Sequence, residues 1–261
     1  MGPAEAIAIL GVGAAAGAVN AVVGSGSLIT FPTLLAFGYP PVVANVSNNV
    51  GLVSGNISGA MGYRRELTGQ RARLLRLAAF AVAGSLAGAA ALLSLPSSSF
   101  KLIVPVLILI ACVLVLVQPW LSRRIAARRK QAATAAPGTS PARERTSPLL
   151  AAGVVGSAAY GGYFGAAQGV LVIGLLGTFL DEPLQRINGA KNVLVAIVNG
   201  TAAVVYIIFA HVAWLVVLLI AVGSTLGGLL GARYGRRLPP TALRIFVVVI
   251  GVISAVKLLF F

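Results

Sequence analysis

Acidic residues are scarce in this chain: five Asp and Glu stand against 20 Lys and Arg, for a formal net charge of +15. Those five are Glu5, Glu66, Glu144, Asp181 and Glu182, and none sits at the centre of an apolar run. That leaves no buried carboxylate relay of the kind a proton pump uses. Histidine and cysteine occur once each, as His211 and Cys112. A single cysteine excludes an internal disulfide and builds no metal site alone. Cys112 lies in an apolar run and reads as a packing residue, and His211 lies between runs and reads as a loop or interface residue. The apolar runs hold no Ser–His or Asp–Asp pair for intramembrane proteolysis, and the chain has no Walker loop for ATP hydrolysis. No enzyme activity and no cofactor is expected. Charged residues of either sign make up 10% against 58% hydrophobic, too little to cover a soluble domain of this length.

What is present is a series of apolar runs, at 7–23, 28–37, 42–63, 74–95, 102–121, 149–164, 170–180, 193–209, 212–232 and 242–261. Six approach the roughly 20 residues a helix needs to cross a bilayer. The runs at 28–37 and 170–180 are too short to cross alone, and each follows a longer run after a glycine-rich break. The composition points to an all-α polytopic membrane protein. No basic segment precedes the first run, so a cleaved signal peptide is not expected. The basic residues cluster between runs, as in cytoplasmic loops facing anionic lipid, with no stripe suited to nucleic acid.

Residues 122–148 carry Arg123, Arg124, Arg128, Arg129, Lys130, Arg143 and Arg145 among Ala, Thr, Ser and Pro. They read as a flexible basic linker between a first transmembrane repeat at 1–121 and a second at 149–261. A shift of 143 residues superimposes unusual positions: Asn45 on Asn188, Asn49 on Asn192, Asn56 on Asn199, Tyr63 on Tyr206, Gly84 and Gly88 on Gly227 and Gly231, and Leu95-Pro96 on Leu238-Pro239. Such internal repeats mark many secondary transporters. If each long-plus-short pair is a re-entrant hairpin, each half has one hairpin and three crossings. Three is odd, so the halves are inverted. With the linker inside, every Lys and Arg except Lys101 and Lys257 is then cytoplasmic and both termini are external. If each pair crosses once, the loops carrying Arg186 and Arg233 fall on the wrong side.

The breaks read Gly24-Ser25-Gly26-Ser27 and Gly165-Ala166-Ala167-Gln168. Glycine permits the turn, and the short helix that follows offers free N–H groups and a partial positive charge, an anion site at its start. Ser25, Ser27 and Gln168 add side-chain donors. After each hairpin comes a polar cluster at a helix start, with Asn45, Asn48 and Asn49 in one half and Asn188, Lys191 and Asn192 in the other. One residue of each cluster is expected to cap its helix. Lys191 is either a cation facing a bound anion or an ordinary loop lysine, and Arg186 reads as a loop residue. Asn56 and Asn199 lie inside runs and should bond between helices or face the pathway. The Gly84/Gly88 and Gly227/Gly231 pairs read as close-packing faces.

The stretch from Gly17 to Pro32, with Gly38-Tyr39-Pro40-Pro41 and Ala44-Asn45-Val46-Ser47-Asn48, resembles the first signature of the TauE/SafE sulfite-exporter family. Gly161-Gly162-Tyr163-Phe164-Gly165 and Arg186-x-Asn188-x-x-Lys191-Asn192 are similar to its second half. Ser25 and Ala166-Ala167 depart from the usual glycines. The resemblance implies a bacterial inner-membrane protein moving small sulfur-containing anions, among them sulfite, thiosulfate and organosulfonates. The substrate-binding set expected is Gly24, Ser25, Gly26, Ser27, Asn45, Asn48, Asn49, Gly165, Gln168, Asn188, Lys191 and Asn192. The partners implied are a small anion and the lipid bilayer, with a homodimer left open and no nucleic acid. The alternatives are a channel or uniporter for another small anion or metabolite, and a membrane scaffold whose breaks serve packing only.

Overall fold

A backbone in lipid has no water to bond, so apolar runs must satisfy their own N–H and C=O groups as helices. In the computed structural model the described residues, 1–135, 147–234 and 240–260, form ten helices and no strand. These are α1 (Pro3–Val22), α2 (Ser27–Ala36), α3 (Pro41–Gly62), α4 (Arg71–Ser94), α5 (Ser97–Ala135), α6 (Pro148–Tyr163), α7 (Gln168–Phe179), α8 (Leu184–Phe209), α9 (Trp214–Tyr234) and α10 (Pro240–Phe260). Arg143, Arg145, Arg236, Arg237 and Leu238-Pro239 lie outside the described residues. Five helices are long and apolar enough to cross a membrane: α1, α4, residues Leu102–Arg124 of α5, α8 and α9. The chain is a multi-pass membrane protein.

Two local expectations change. Helix α5 continues to Ala135, through the first half of the stretch read as a flexible linker. Its Ala, Arg, Lys and Gln are strong helix formers, and nothing there breaks the helix. Helix α3 has a crossing length of 22 residues yet is not among the five apolar spans. Asn45, Ser47, Asn48, Asn49 and Asn56 lower its hydropathy, and all five are buried in the protein, away from lipid.

Both long-plus-short pairs fold back as hairpins. A Cβ on Gly26 would lie 2.2 Å from Ala16 O, and Ile9 and Val12 of α1 face Thr33 and Leu34 of α2. The Tyr39 hydroxyl reaches Glu5 at the start of α1, where burial and that carboxylate push the phenol pKa up. In the second pair Gly161 lies against Gln168 and Gly153 against Leu175.

Small residues set the helix directions. Gly13 meets Ile220 and Gly17 meets Ser224, so α1 and α9 run the same way. Gly51 meets Ile220 and Gly62 meets Ala232, so α3 runs with them. Gly84 meets Val155 and Gly88 meets Ala159, so α4 runs with α6. Helix α8 runs against α3, for Asn49 bonds Asn199 while Gly59 approaches Asn192 and Gly189 lies by Tyr63. Helices α5 and α10 also oppose, through Gln118 with Arg244 and Cys112 with Val248. The Gly84/Gly88 and Gly227/Gly231 pairs are close-packing faces, as expected; a Cβ on Gly227 would sit 1.9 Å from Ala14 O.

One end of the bundle gathers the basic loops. Arg186 donates to Thr68 O at 3.1 Å, Gln70 donates to Arg186 O at 3.3 Å, and Glu182 bridges Arg73 at 3.1 Å and Arg186 at 2.5 Å. The Glu182 carboxyl is penalised by burial, but the Arg186 and Arg73 guanidiniums outweigh that and lower its pKa.

Candidate functional site

The site is built where the two hairpins break. Gly24 and Gly165 take φ of 85° and 77°, a left-handed turn that glycine adopts without strain. Ala167 takes φ 57° in the second break, where a side chain makes that turn costly. The two breaks touch: Gly169 N–H donates to Gly24 O at 3.2 Å, and a Cβ on Gly24 would lie 2.6 Å from Gly169 Cα. Phe31 and Phe164 pack edge to face beside them, 5.3 Å between centroids.

A helix that stops inside a membrane leaves carbonyls without partners at its end. Here neighbouring helices supply them. Lys191 Nζ donates to Asn20 O at 2.8 Å and Ala21 O at 3.2 Å, and Asn192 Nδ2 donates to Ala21 O at 3.2 Å. At the end of α6, Asn45 Nδ2 donates to Tyr163 O at 3.0 Å, and the Tyr206 hydroxyl donates to Gly162 O. The end of α1 is thus closed by side chains of α8 from the other half, and the end of α6 by Asn45 of the other half together with Tyr206 of its own.

The N–H groups expected to be free at the short-helix starts are partly used. Gly26 N–H donates to Asn20 Oδ1 at 2.7 Å, and Gly169 N–H is taken by Gly24 O. The side chains carry more unmet capacity. Ser25 Oγ, Asn45 Oδ1, Asn49 Oδ1, Asn188 Oδ1, and both Nε2 and Oε1 of Gln168 are buried without a hydrogen-bond partner. Tyr163 Oη and Asn56 Nδ2 join them. Each unmet buried group costs about 1–3 kcal/mol.

Of the two readings the sequence gave Lys191, the ordinary loop lysine does not hold. It lies in the second turn of α8 with 1% exposure, so it is no loop lysine, and its donors point at α1 carbonyls. It has no carboxylate partner among the described residues. The partial negative charge of the α1 C-terminus is what faces it. Arg186 likewise sits in α8, paired to Glu182. Neither polar cluster caps its helix: the caps are Pro40 and Pro183, without side-chain bonds. Asn48 accepts from Thr30, and Ser27 is buried at the start of α2. Asn56 and Asn199 bond between helices, to Asn20 at 3.1 Å and Asn49 at 3.3 Å.

The structure adds Asn20, Thr30, Gln118, Tyr163 and Tyr206 to the set. Gln118 Nε2 donates to Val23 O at 3.1 Å and so holds the first break from α5. Asn20 and Gln118 carried the signal that selected Asn56 and Asn199, an amide inside an apolar run. Tyr206 was matched to Tyr63 by the repeat, and Thr30 and Tyr163 lay inside the two family-like stretches, with nothing in the residues to place any of them at the breaks. A cavity of about 430 Å³ lies to one side of the breaks, between α5, α6 and α7.

The sequence model of the family described as Sulfite exporter TauE/SafE matches residues 9–258. The chain is 26% identical over 246 residues to the probable membrane transporter protein YfcA of Escherichia coli K12, covering 94% of this chain and 86% of that one. It is 25% identical over 251 residues to a probable membrane transporter protein of Haemophilus influenzae, covering 95% and 92%. A Sinorhizobium protein, probable membrane transporter protein ORF9, is 24% identical over 248 residues, covering 94% and 88%. No solved structure matches.

Proposed function

Because this chain belongs to the sulfite exporter TauE/SafE family, whose named relatives are probable membrane transporters, we propose that it exports small sulfur-containing anions, such as sulfite, thiosulfate or an organosulfonate, across a bacterial inner membrane. The observation that carries this reading is Lys191. It is a buried lysine with no carboxylate partner among the described residues, bonded to the carbonyls that end α1 just before the first break. A buried charge without a counter-ion is costly, and an anion brought to it supplies the missing charge. The unmet donors of the two breaks, Ser25 Oγ and Gln168 Nε2, match the oxygens of a sulfur oxyanion. A membrane potential, inside negative, favours outward movement by about 2.3 kcal/mol per charge per 100 mV, so an anion needs no proton relay to leave.

In this reading the halves are inverted copies. Their support is the direction of the helices: α1, α3 and α9 run one way, their counterparts α6, α8 and α4 run together, and α3 opposes α8. The hairpins then enter from opposite faces and meet at their tips, the usual geometry for a substrate site between repeats. The contact between Gly169 and Gly24 closes the route at that point and favours a carrier over an open channel.

A thermal-shift panel on detergent-purified protein tests the assignment. Sulfite, thiosulfate and sulfoacetate are compared with sulfate, phosphate and chloride at matched ionic strength. Binding to the folded state raises its apparent stability by mass action, about 2.7 kcal/mol at one hundred times Kd. A rise confined to one or two sulfur anions is expected. An equal response to phosphate or chloride, or none to any sulfur anion in folded protein, overturns the substrate class.

A further inference from the structure

The 430 Å³ cavity is a groove along α5, α6 and α7, lined by apolar side chains such as Leu114, Val117, Leu171 and Leu175. Its floor includes Gly156, where an added Cβ would meet nothing within 4 Å. The groove ends at Leu121, and the next turn of α5 presents Arg123 and Arg124, both exposed. Arg124 lies 5.0 Å over the ring of Trp120, itself 57% exposed, an aromatic and cation pair typical of the membrane–water interface. From the other side Arg244 donates to Gln118 Oε1 at 3.3 Å, close enough to Arg123 for the two like charges to repel. No carboxylate among the described residues neutralises Arg123, Arg124 or Arg244.

We propose that this groove binds one anionic phospholipid, an acyl chain between α5, α6 and α7 and the phosphate between Arg123, Arg124 and Arg244. The apolar trough and the cationic rim sit in the order a lipid requires, tail deeper than headgroup. Basic pockets between membrane helices bind anionic headgroups for this reason. A free phosphate matches the rim alone and leaves the trough unused. Gln118 couples the lipid to the breaks, for its amide faces the groove, accepts from Arg244 and holds Val23 O at the first break. A bound lipid therefore stiffens the α1 tip.

Purified protein is titrated with phosphatidylglycerol, phosphatidylcholine or glycerol phosphate, with retained lipid read by native mass spectrometry and stability by thermal melting. Phosphatidylglycerol is expected to be retained and to raise the melting temperature, with phosphatidylcholine weaker and glycerol phosphate inert. Two variants remove the site in different ways: Arg123→Gln with Arg124→Gln strips the exposed rim, and Gly156→Leu puts a side chain into the trough from a position whose added Cβ meets nothing within 4 Å. Each should weaken phosphatidylglycerol binding about tenfold, or 1.4 kcal/mol. Equal retention of phosphatidylcholine, wild-type lipid binding in both variants, or full stabilisation by glycerol phosphate alone overturns the proposal.

Discussion

Two single residues carry most of the argument at the smallest scale. Lys191→Met removes a buried charge and also removes the donors to Asn20 O and Ala21 O. The first change favours the fold and the second disfavours it, each by about 1–3 kcal/mol, so the variant should fold. Its thermal response to sulfur anions should vanish; an unchanged response would take Lys191 out of the site. Ala167 holds a left-handed φ of 57° where glycine would be unstrained. Ala167→Gly should raise thermal stability by about 1 kcal/mol, and a loss of stability would mean the break is shaped by contacts more than by backbone preference. Neither residue's surroundings could be read from the sequence. Lys191 stood in a polar run that suggested a loop, and burial against another helix's carbonyls leaves no mark on its neighbours in the chain.

At the scale of the element, the apolar runs translated into helices with little change, because hydrophobic length alone decides what a bilayer-embedded backbone does. Both short runs were recognisable as hairpin returns from the glycines before them. What stayed hidden was how early α8 starts. Helix α8 begins at Leu184, nine residues before its apolar run, because Asn188, Lys191 and Asn192 face protein and never meet lipid. A hydropathy reading sees polar residues and delays the helix. The loop before α8 offers a pH test. Glu182 is lowered below its ordinary pKa by Arg186 and Arg73, so its contribution is present above the unfolded value of about 4.3 and is lost as pH falls through the folded value. Glu182→Gln should lower the melting temperature at pH 7 and leave it little changed once the pH has fallen below the folded value; a deficit that persists in acid would assign the loss to packing.

Across the whole molecule, the inverted arrangement proposed above draws its support from the sequence repeat, the charge distribution and the helix directions. The repeat in sequence was visible because Asn, Tyr, Pro and spaced Gly are rare enough in an apolar chain to be compared. The pairing of each broken helix with the opposite half was not visible, since side chain to backbone bonds such as Asn45 to Tyr163 impose no residue pattern on the acceptor. If the first hairpin is re-entrant, Gly2 before α1 and Gly38 after α2 lie on the same face of the membrane. In a Cys112→Ser background, Gly2→Cys and Gly38→Cys should label from the same side with an impermeant maleimide; labelling from opposite sides would mean that the α1–α2 pair completes a crossing.

The central claim is that the meeting point of the two breaks carries an anion across the membrane. Sulfite counterflow in proteoliposomes tests it most directly, comparing the wild-type protein with Lys191→Met and Ser25→Leu at equal reconstitution. Saturable counterflow is expected in the wild type, and its loss in both folded variants. Normal counterflow in both would contradict it, for a transporter would then be working without its proposed site.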